Sequence, residues 1–114
     1  MNQSPITTHV LDTALGKPAA GVSVVLERAC ESGYEKISEG VTSVDGRLAG
    51  LIDDDTFTTG VYLIHFDTGQ YFKSSGREAF YPEVAVLFQA KDPEAHYHVP
   101  LLISPFGYST YRGC

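Results

Sequence analysis

Four histidines and one arginine hold most of the chemistry this sequence could perform. His96 and His98 stand two apart in His96-Tyr97-His98-Val99-Pro100-Leu101. Residues two apart in a strand share a face. The two imidazoles therefore lie together, opposite a stripe of Tyr97, Val99, Leu101 and Ile103 that reads as core. Such a pair has three uses: acid–base work near neutral pH, ligation of a metal, or plain exposure. Two imidazoles alone do not make a zinc site; a third ligand and its supporting hydrogen bonds are needed. Cys114 could in principle be that ligand. His65 sits amid Leu63, Ile64 and Phe66 and reads as a structural histidine satisfied by one hydrogen bond. His9 is the fourth, inside the strand-like segment Ile6 to Leu11. Arg47 follows the Asp45-Gly46 turn. It is either a solvated strand-end arginine or a planar fork that grips a flat polar ligand through two bonds.

Other signatures are missing. Asp53-Asp54-Asp55 lacks the alternate oxygen spacing and closing Glu of a calcium loop, so it reads as a solvated acidic loop. The sequence holds no Gly-rich phosphate loop, Cys-x-x-Cys, Gly-x-Ser-x-Gly elbow or His-Glu-x-x-His.

The elements that position these groups are strands. Seven tyrosines, six phenylalanines and many β-branched residues suit pleated, half-buried surfaces. Gly21 to Arg28 alternates, with Val22, Val24 and Leu26 on one face. Tyr34 to Ser43 is more polar and reads as a strand near an edge. The Asp45-Gly46 pair marks a turn, and Arg47 to Leu51 reads as the return strand. Further strands are expected at Val61 to Asp67, Glu83 to Ala90, His96 to Ser104 and Tyr108 to Arg112. One short helix is expected between Gly69 and Gly76. About eight strands with turns every 8–12 residues make an all-β sandwich.

Composition bounds the rest. A chain of 114 residues is one domain, 1–114, long enough to bury roughly 65% of its unfolded surface. The 43% hydrophobic and 19% charged fractions exclude a disordered chain. No apolar run approaches the ~20 residues of a membrane helix. A net charge of -6, with basic residues scattered, argues against nucleic-acid binding. Two cysteines, Cys30 and Cys114, read as free thiols in a reducing compartment. Met1-Asn2-Gln3-Ser4-Pro5 lacks the basic and apolar stretches of a leader, so a cytoplasmic location is expected, or periplasmic if a leader has been removed. The segment Tyr111-Arg112-Gly113-Cys114 follows an aromatic, turn-rich stretch and reads as docked rather than loose.

Three segments carry a resemblance. They are Thr8-His9-Val10-Leu11-Asp12-Thr13 with Gly16-Lys17-Pro18-Ala19; Asp45-Gly46-Arg47; and His96-Tyr97-His98-Val99-Pro100-Leu101-Leu102 followed by Ser104-Pro105-Phe106-Gly107-Tyr108-Ser109-Thr110-Tyr111-Arg112-Gly113. Phe80-Tyr81-Pro82-Glu83 adds a match between them. Together they resemble the 5-hydroxyisourate hydrolases, a transthyretin-related family of purine catabolism. The resemblance spans nearly the whole chain.

The resemblance implies a transthyretin-like sandwich of eight strands with a short helix, assembled as a homotetramer with sites at a subunit interface. It implies hydrolytic opening of the six-membered ring of 5-hydroxyisourate, with no cofactor and no metal. Carried over residue by residue, the catalytic group would be His9, Arg47 and His98. Tyr111, Arg112, Gly113 and Cys114 would join His9 and Arg47 in binding substrate. The resemblance suggests His98 as the main general base, His9 as orienting water or sharing acid–base work, and Asp12 as a lesser candidate that otherwise reads as a turn or surface carboxylate. The family pattern ends in Tyr-Arg-Gly-Ser, whereas Cys114 stands in the last position here. A thiol is a weaker hydrogen-bond donor than a hydroxyl. The alternative from a different class is a non-catalytic transthyretin-like carrier of a small ligand; a third is an interaction domain without a pocket.

Overall fold

Alternation of apolar and polar residues sorts this chain into two sheets. The computed structural model describes residues 4–114. Met1, Asn2 and Gln3, which form part of the leader reading, lie outside the described residues. The strands are β1 (Ile6–Asp12), β2 (Lys17–Pro18), β3 (Ser23–Cys30), β4 (Gly33–Val41), β5 (Arg47–Leu48), β6 (Gly60–Phe66), β7 (Val84–Ala90), β8 (Tyr97–Ser104) and β9 (Gly107–Thr110), with one helix, α1 (Thr68–Ser74). One sheet runs β2-β1-β8-β9, with β5 also on β1; the other runs β4-β3-β6-β7.

The core lies between the sheets. β8 buries Tyr97, Val99, Leu101 and Ile103, the stripe read from the sequence, and β3 buries Val24 and Leu26. β6 adds Tyr62, Ile64 and Phe66, and β1 adds Ile6 and Val10. Each fully buried aliphatic or phenyl side chain stabilises by about 1.5–3 kcal/mol. The stripe thus fixes which face of β8 points outward, and that face carries His98. β1 and β8 run parallel, Thr7 beside His98 and His9 beside Pro100.

The helix falls in the expected segment. Asp67 caps it by accepting a hydrogen bond from the Gln70 amide, and Thr68 and Phe72 are its buried residues. Seven residues are too few for a helix to stand alone in water. Contacts to β1 hold it: the Tyr71 hydroxyl donates to Asp12 at 2.8 Å and Arg77 Nη2 at 2.7 Å.

Three expectations change. Arg47 to Leu51 is not the return strand of a hairpin with β4. Only Arg47–Leu48 is extended, and it pairs with β1 in the opposite sheet. The cause is Gly46, with φ 76°, where any Cβ would collide with the Val10 carbonyl oxygen. The missing side chain lets the Val10 amide donate to Gly46 O at 2.7 Å, and the chain crosses to β1 there. The last strand ends at Thr110 rather than Arg112. Asp12 is a turn carboxylate, as one reading had it, accepting from the Ala14 and Leu15 amides, but not a surface one: it ends β1 fully buried and also accepts from Arg77 and Tyr71. β4 is an edge strand, as its polarity suggested.

Candidate functional site

Pairing registers bring the separated motifs onto one outer face. His9 lies opposite Arg47 in the β1–β5 pair, so both side chains share a side of the sheet. Thr7, two residues before His9, is on that side too and lies beside His98 in the parallel pair. The face therefore gathers Thr7, His9, Arg47 and His98 from β1, β5 and β8. The inward residues of the same strands, Thr8, Val10 and Val99, are buried.

His98 is the most constrained of these groups. Its Nδ1 lies 2.8 Å from Thr7 Oγ1, and the same hydroxyl lies 3.0 Å from His96 Nε2. The two rings stack, with centroids 6.2 Å apart and planes 22° from parallel. Burial pushes the His98 pKa below its usual value, and the nearby charges of His96, His9 and Arg47 push the same way. A contact with the Thr7 backbone opposes them and does not prevail. The ring is consequently neutral at pH 7 and able to accept a proton.

The tail closes against that ring. Gly113 pairs with His98, its amide donating to the His98 carbonyl at 2.8 Å. A Cβ on residue 113 would lie 2.6 Å from His98 Cδ2 and 3.2 Å from Pro100 Cγ, so only glycine lets the backbone come this near. Pro100 has no N–H, which interrupts the ladder between Thr110 and Gly113. The Thr110 hydroxyl occupies the gap, donating to the Pro100 carbonyl at 2.7 Å. The segment expected to be docked is docked.

His9 sits at the other side of the cluster. Its Nε2 donates to the Asp45 carbonyl at 2.9 Å. A carbonyl can only accept, so the neutral ring carries its hydrogen on Nε2 and leaves Nδ1 as an acceptor. Arg47 is exposed. Tyr111 and Cys114 are exposed as well. The Arg112 guanidinium is not part of the cluster: it lies over the Tyr97 ring, 4.6 Å from its centroid. Tyr97 faces the core, so Arg112 points away from His98 and anchors the tail from behind.

A cleft of about 290 Å³ opens between β7 and the β8–tail edge, lined by Val86, Phe88, Tyr97, Val99, Tyr111 and Arg112, and of the cluster only His98 reaches it. Its size is at the lower end for small-molecule sites. A wider hollow of about 570 Å³ lies on the other sheet at Ser23, His65, Asp67 and Glu83. It offers no free imidazole nitrogen, because His65 Nε2 meets Glu27 at 2.9 Å and Nδ1 meets Glu83 at 3.4 Å. The Glu27 hydrogen bond raises the His65 pKa against the opposing effect of burial, with Glu83 adding to the rise. His65 is structural, as expected, though held by two carboxylates rather than one bond. Among the described residues no group of three or more His, Cys, Asp or Glu side chains is placed to hold a metal ion. Thr7 is the group that sequence reading missed. Its only signal is being two residues from His9; the β1–β8 register, which no local pattern contains, is what sets it beside His98.

The two sheets and their connections make this a transthyretin-like β-sandwich with a histidine–arginine cluster on one outer face. The chain belongs to the HIUase/Transthyretin family, whose sequence model matches residues 6–113. It is similar to the 5-hydroxyisourate hydrolase of Salmonella typhimurium, 45% identical over 108 residues that cover 95% of this chain and 79% of that one. Its fold matches transthyretin from Sparus aurata with a TM-score of 0.92 at 34% identity, covering 97% of each chain. It matches the 5-hydroxyisourate hydrolase of Klebsiella pneumoniae with a TM-score of 0.86 at 37% identity, covering 97% of this chain and 99% of the other.

Proposed function

We infer that this chain is a 5-hydroxyisourate hydrolase that opens the six-membered ring of its substrate to give 2-oxo-4-hydroxy-4-carboxy-5-ureidoimidazoline. Backbone similarity does not separate enzyme from carrier, since transthyretin is matched as well as the hydrolase is. The carrying observation is the convergence of His9, Arg47 and His98 on one face with Gly113 closed against His98.

Opening a cyclic amide needs an activated water, a place for negative charge and a proton for the leaving nitrogen. Neutral His98 takes a proton from water as the new C–O bond forms. Arg47 binds the carbonyl oxygen as charge develops there; one such donor is worth roughly 3–4 kcal/mol. His9 holds the attacking water at its free Nδ1 acceptor. The ring C–N bond then breaks, and the proton held by His98 passes to the leaving nitrogen. General acid–base catalysis of this kind contributes ~10²–10⁴-fold. Tyr111 and Arg112 line the cleft, Arg112 anchoring the tail over Tyr97, and the Gly113 backbone closes against His98. No step requires a metal or cofactor.

A second copy of the chain covers this face, giving a homotetramer with sites at the interface. Isologous packing around two-fold axes supplies such shared sites. Sedimentation equilibrium checks the assembly, and cell fractionation checks the cytoplasmic location. The experiment for the activity is an ultraviolet time course on freshly generated 5-hydroxyisourate, against spontaneous decay and with a Cys114→Ser variant alongside. Acceleration by both supports the hydrolase and shows that the thiol is accepted. Acceleration only by the serine variant makes Cys114 inactivating. Acceleration by neither favours the carrier, a reading to which the transthyretin likeness lends weight.

A further inference from the structure

We infer that Thr7 is a positioning residue: its hydroxyl, held between His98 Nδ1 at 2.8 Å and His96 Nε2 at 3.0 Å, fixes the tautomer in which His98 presents a bare Nε2 to water. This rests on the hydrolase reading above.

A threonine hydroxyl has one hydrogen to give and lone pairs to receive. A neutral imidazole has one nitrogen that donates and one that accepts. The two short contacts at Thr7 Oγ1 are both satisfied when one histidine donates to it and the other accepts from it. That leaves two directions for the chain. If His96 donates, His98 accepts at Nδ1 and its hydrogen sits on Nε2, where a base needs a lone pair. If His98 donates from Nδ1, the Thr7 hydrogen goes to His96 Nε2, and His98 Nε2 is free. Only the second direction leaves His98 a bare Nε2 on the outer face that also carries His9 and Arg47.

The same bond serves the transition state. When His98 gains a proton at Nε2, its Nδ1–H already points at Thr7 and the bond becomes charge-assisted. That bond is stronger in the transition state than in the resting enzyme, so its loss lowers kcat rather than raising KM. His96 completes the chain by accepting the Thr7 hydrogen, which accounts for a second imidazole two residues from the base.

The test compares Thr7→Val with Thr7→Ser. Valine keeps the shape and removes the hydroxyl; serine restores it. Thr7→Val is expected to lower kcat about 10–100-fold, the value of a hydrogen bond to a charged group, with KM nearly unchanged. Thr7→Ser is expected to recover most of the rate. Long-range ¹⁵N–¹H spectra of labelled imidazoles, without substrate, are expected to place the His98 hydrogen on Nδ1 in the wild type and the serine variant. In the valine variant they are expected to show loss of that single tautomer. A wild-type His98 protonated on Nε2, or a valine variant with an unchanged tautomer, overturns the role of Thr7. An inactive wild type would instead remove the hydrolase reading, and the spectra would still decide what Thr7 does.

Discussion

Replacing Gly113 by alanine tests the closeness of the tail to His98 with a single methyl group. The added carbon would sit 2.6 Å from His98 Cδ2, 3.3 Å from His98 Cγ and 3.2 Å from Pro100 Cγ. Carbon atoms in contact prefer about 3.5–4.0 Å, so something must move by roughly 1 Å. Two parts can yield. The tail at this point is held by one backbone bond to His98 and by Arg112 over Tyr97, contacts worth about 1 kcal/mol each. The imidazole is held by its bond to Thr7, worth about the same. Pro100, whose ring is part of the backbone, cannot step aside. Either the tail lifts or the ring tilts, and both disturb the proposed base or the wall of its cleft. A misplacement near 1 Å can cost about 100-fold in rate, whereas stability should fall by only about 1–2 kcal/mol because the core is untouched. The assay is the ultraviolet decay of 5-hydroxyisourate at saturating substrate, with thermal unfolding run in parallel. A variant with wild-type kcat and an unshifted melting temperature would refute the claim that this contact matters.

Further outcomes follow from the same geometry. The rate constant kcat/KM should rise with pH along an acid limb whose midpoint lies below the usual histidine value of about 6.5, reporting His98 losing its proton. Arg47→Ala should cut the rate by about 10²–10³ and move that midpoint up, though only part of the way, because burial is the larger cause. Asp12→Asn should destabilise by about 3–5 kcal/mol, since it leaves the Arg77 charge without its partner. Burial raises the Asp12 pKa, but the hydrogen bonds from Arg77, Tyr71 and Leu15 and the Arg77 charge lower it by more. The carboxylate therefore adds stability above the unfolded value of about 3.9, and this is lost as pH falls through the lower folded pKa. Denaturant titrations in acid should show that loss in the wild type and not in Asp12→Asn. His65 behaves in the opposite sense: its raised pKa adds stability below about 6.5 that disappears as pH rises through the folded value. The pair is partly exposed, so Glu27→Gln should cost no more than about 1 kcal/mol and leave kcat unchanged.

What could be read in the sequence was whatever repeats every two residues. The inward stripe of β8, the alternating face of β3 and the short helix after Asp67 are local patterns, and the structure has each of them. Spacing and turn position single out His98 and Arg47, motif resemblance adds His9 to them, and the registers put the three on one face. The destination of Arg47 was hidden because a turn pair announces a reversal and not the partner strand. Crossing to β1 depends on the gap at Gly46, which is a tertiary contact. The turn role of Asp12 is legible in the sequence but its burial is not, because a carboxylate next to a turn looks solvated until Tyr71 and Arg77 arrive, 59 and 65 residues later. The side of Arg112 was equally hidden, since it depends on how the tail resumes pairing after Pro100.

The parallel pairing of β1 with β8 has a consequence for how the chain comes to be active. Thr7 and His98 are 91 residues apart, and no local hairpin can bring them together. Closing so long a loop costs chain entropy that is recovered only when the intervening sheet exists. During synthesis the ribosome delivers His9 early and the other half of the site near the finish. The nascent chain therefore has strands long before it has a working centre. Upon refolding, catalysis should return with the β1–β8 pairing, after the local hairpins of the other sheet have formed. A cut within β8 removes the buried stripe of Tyr97, Val99, Leu101 and Ile103 together with His98, so core and proposed site are lost at one stroke.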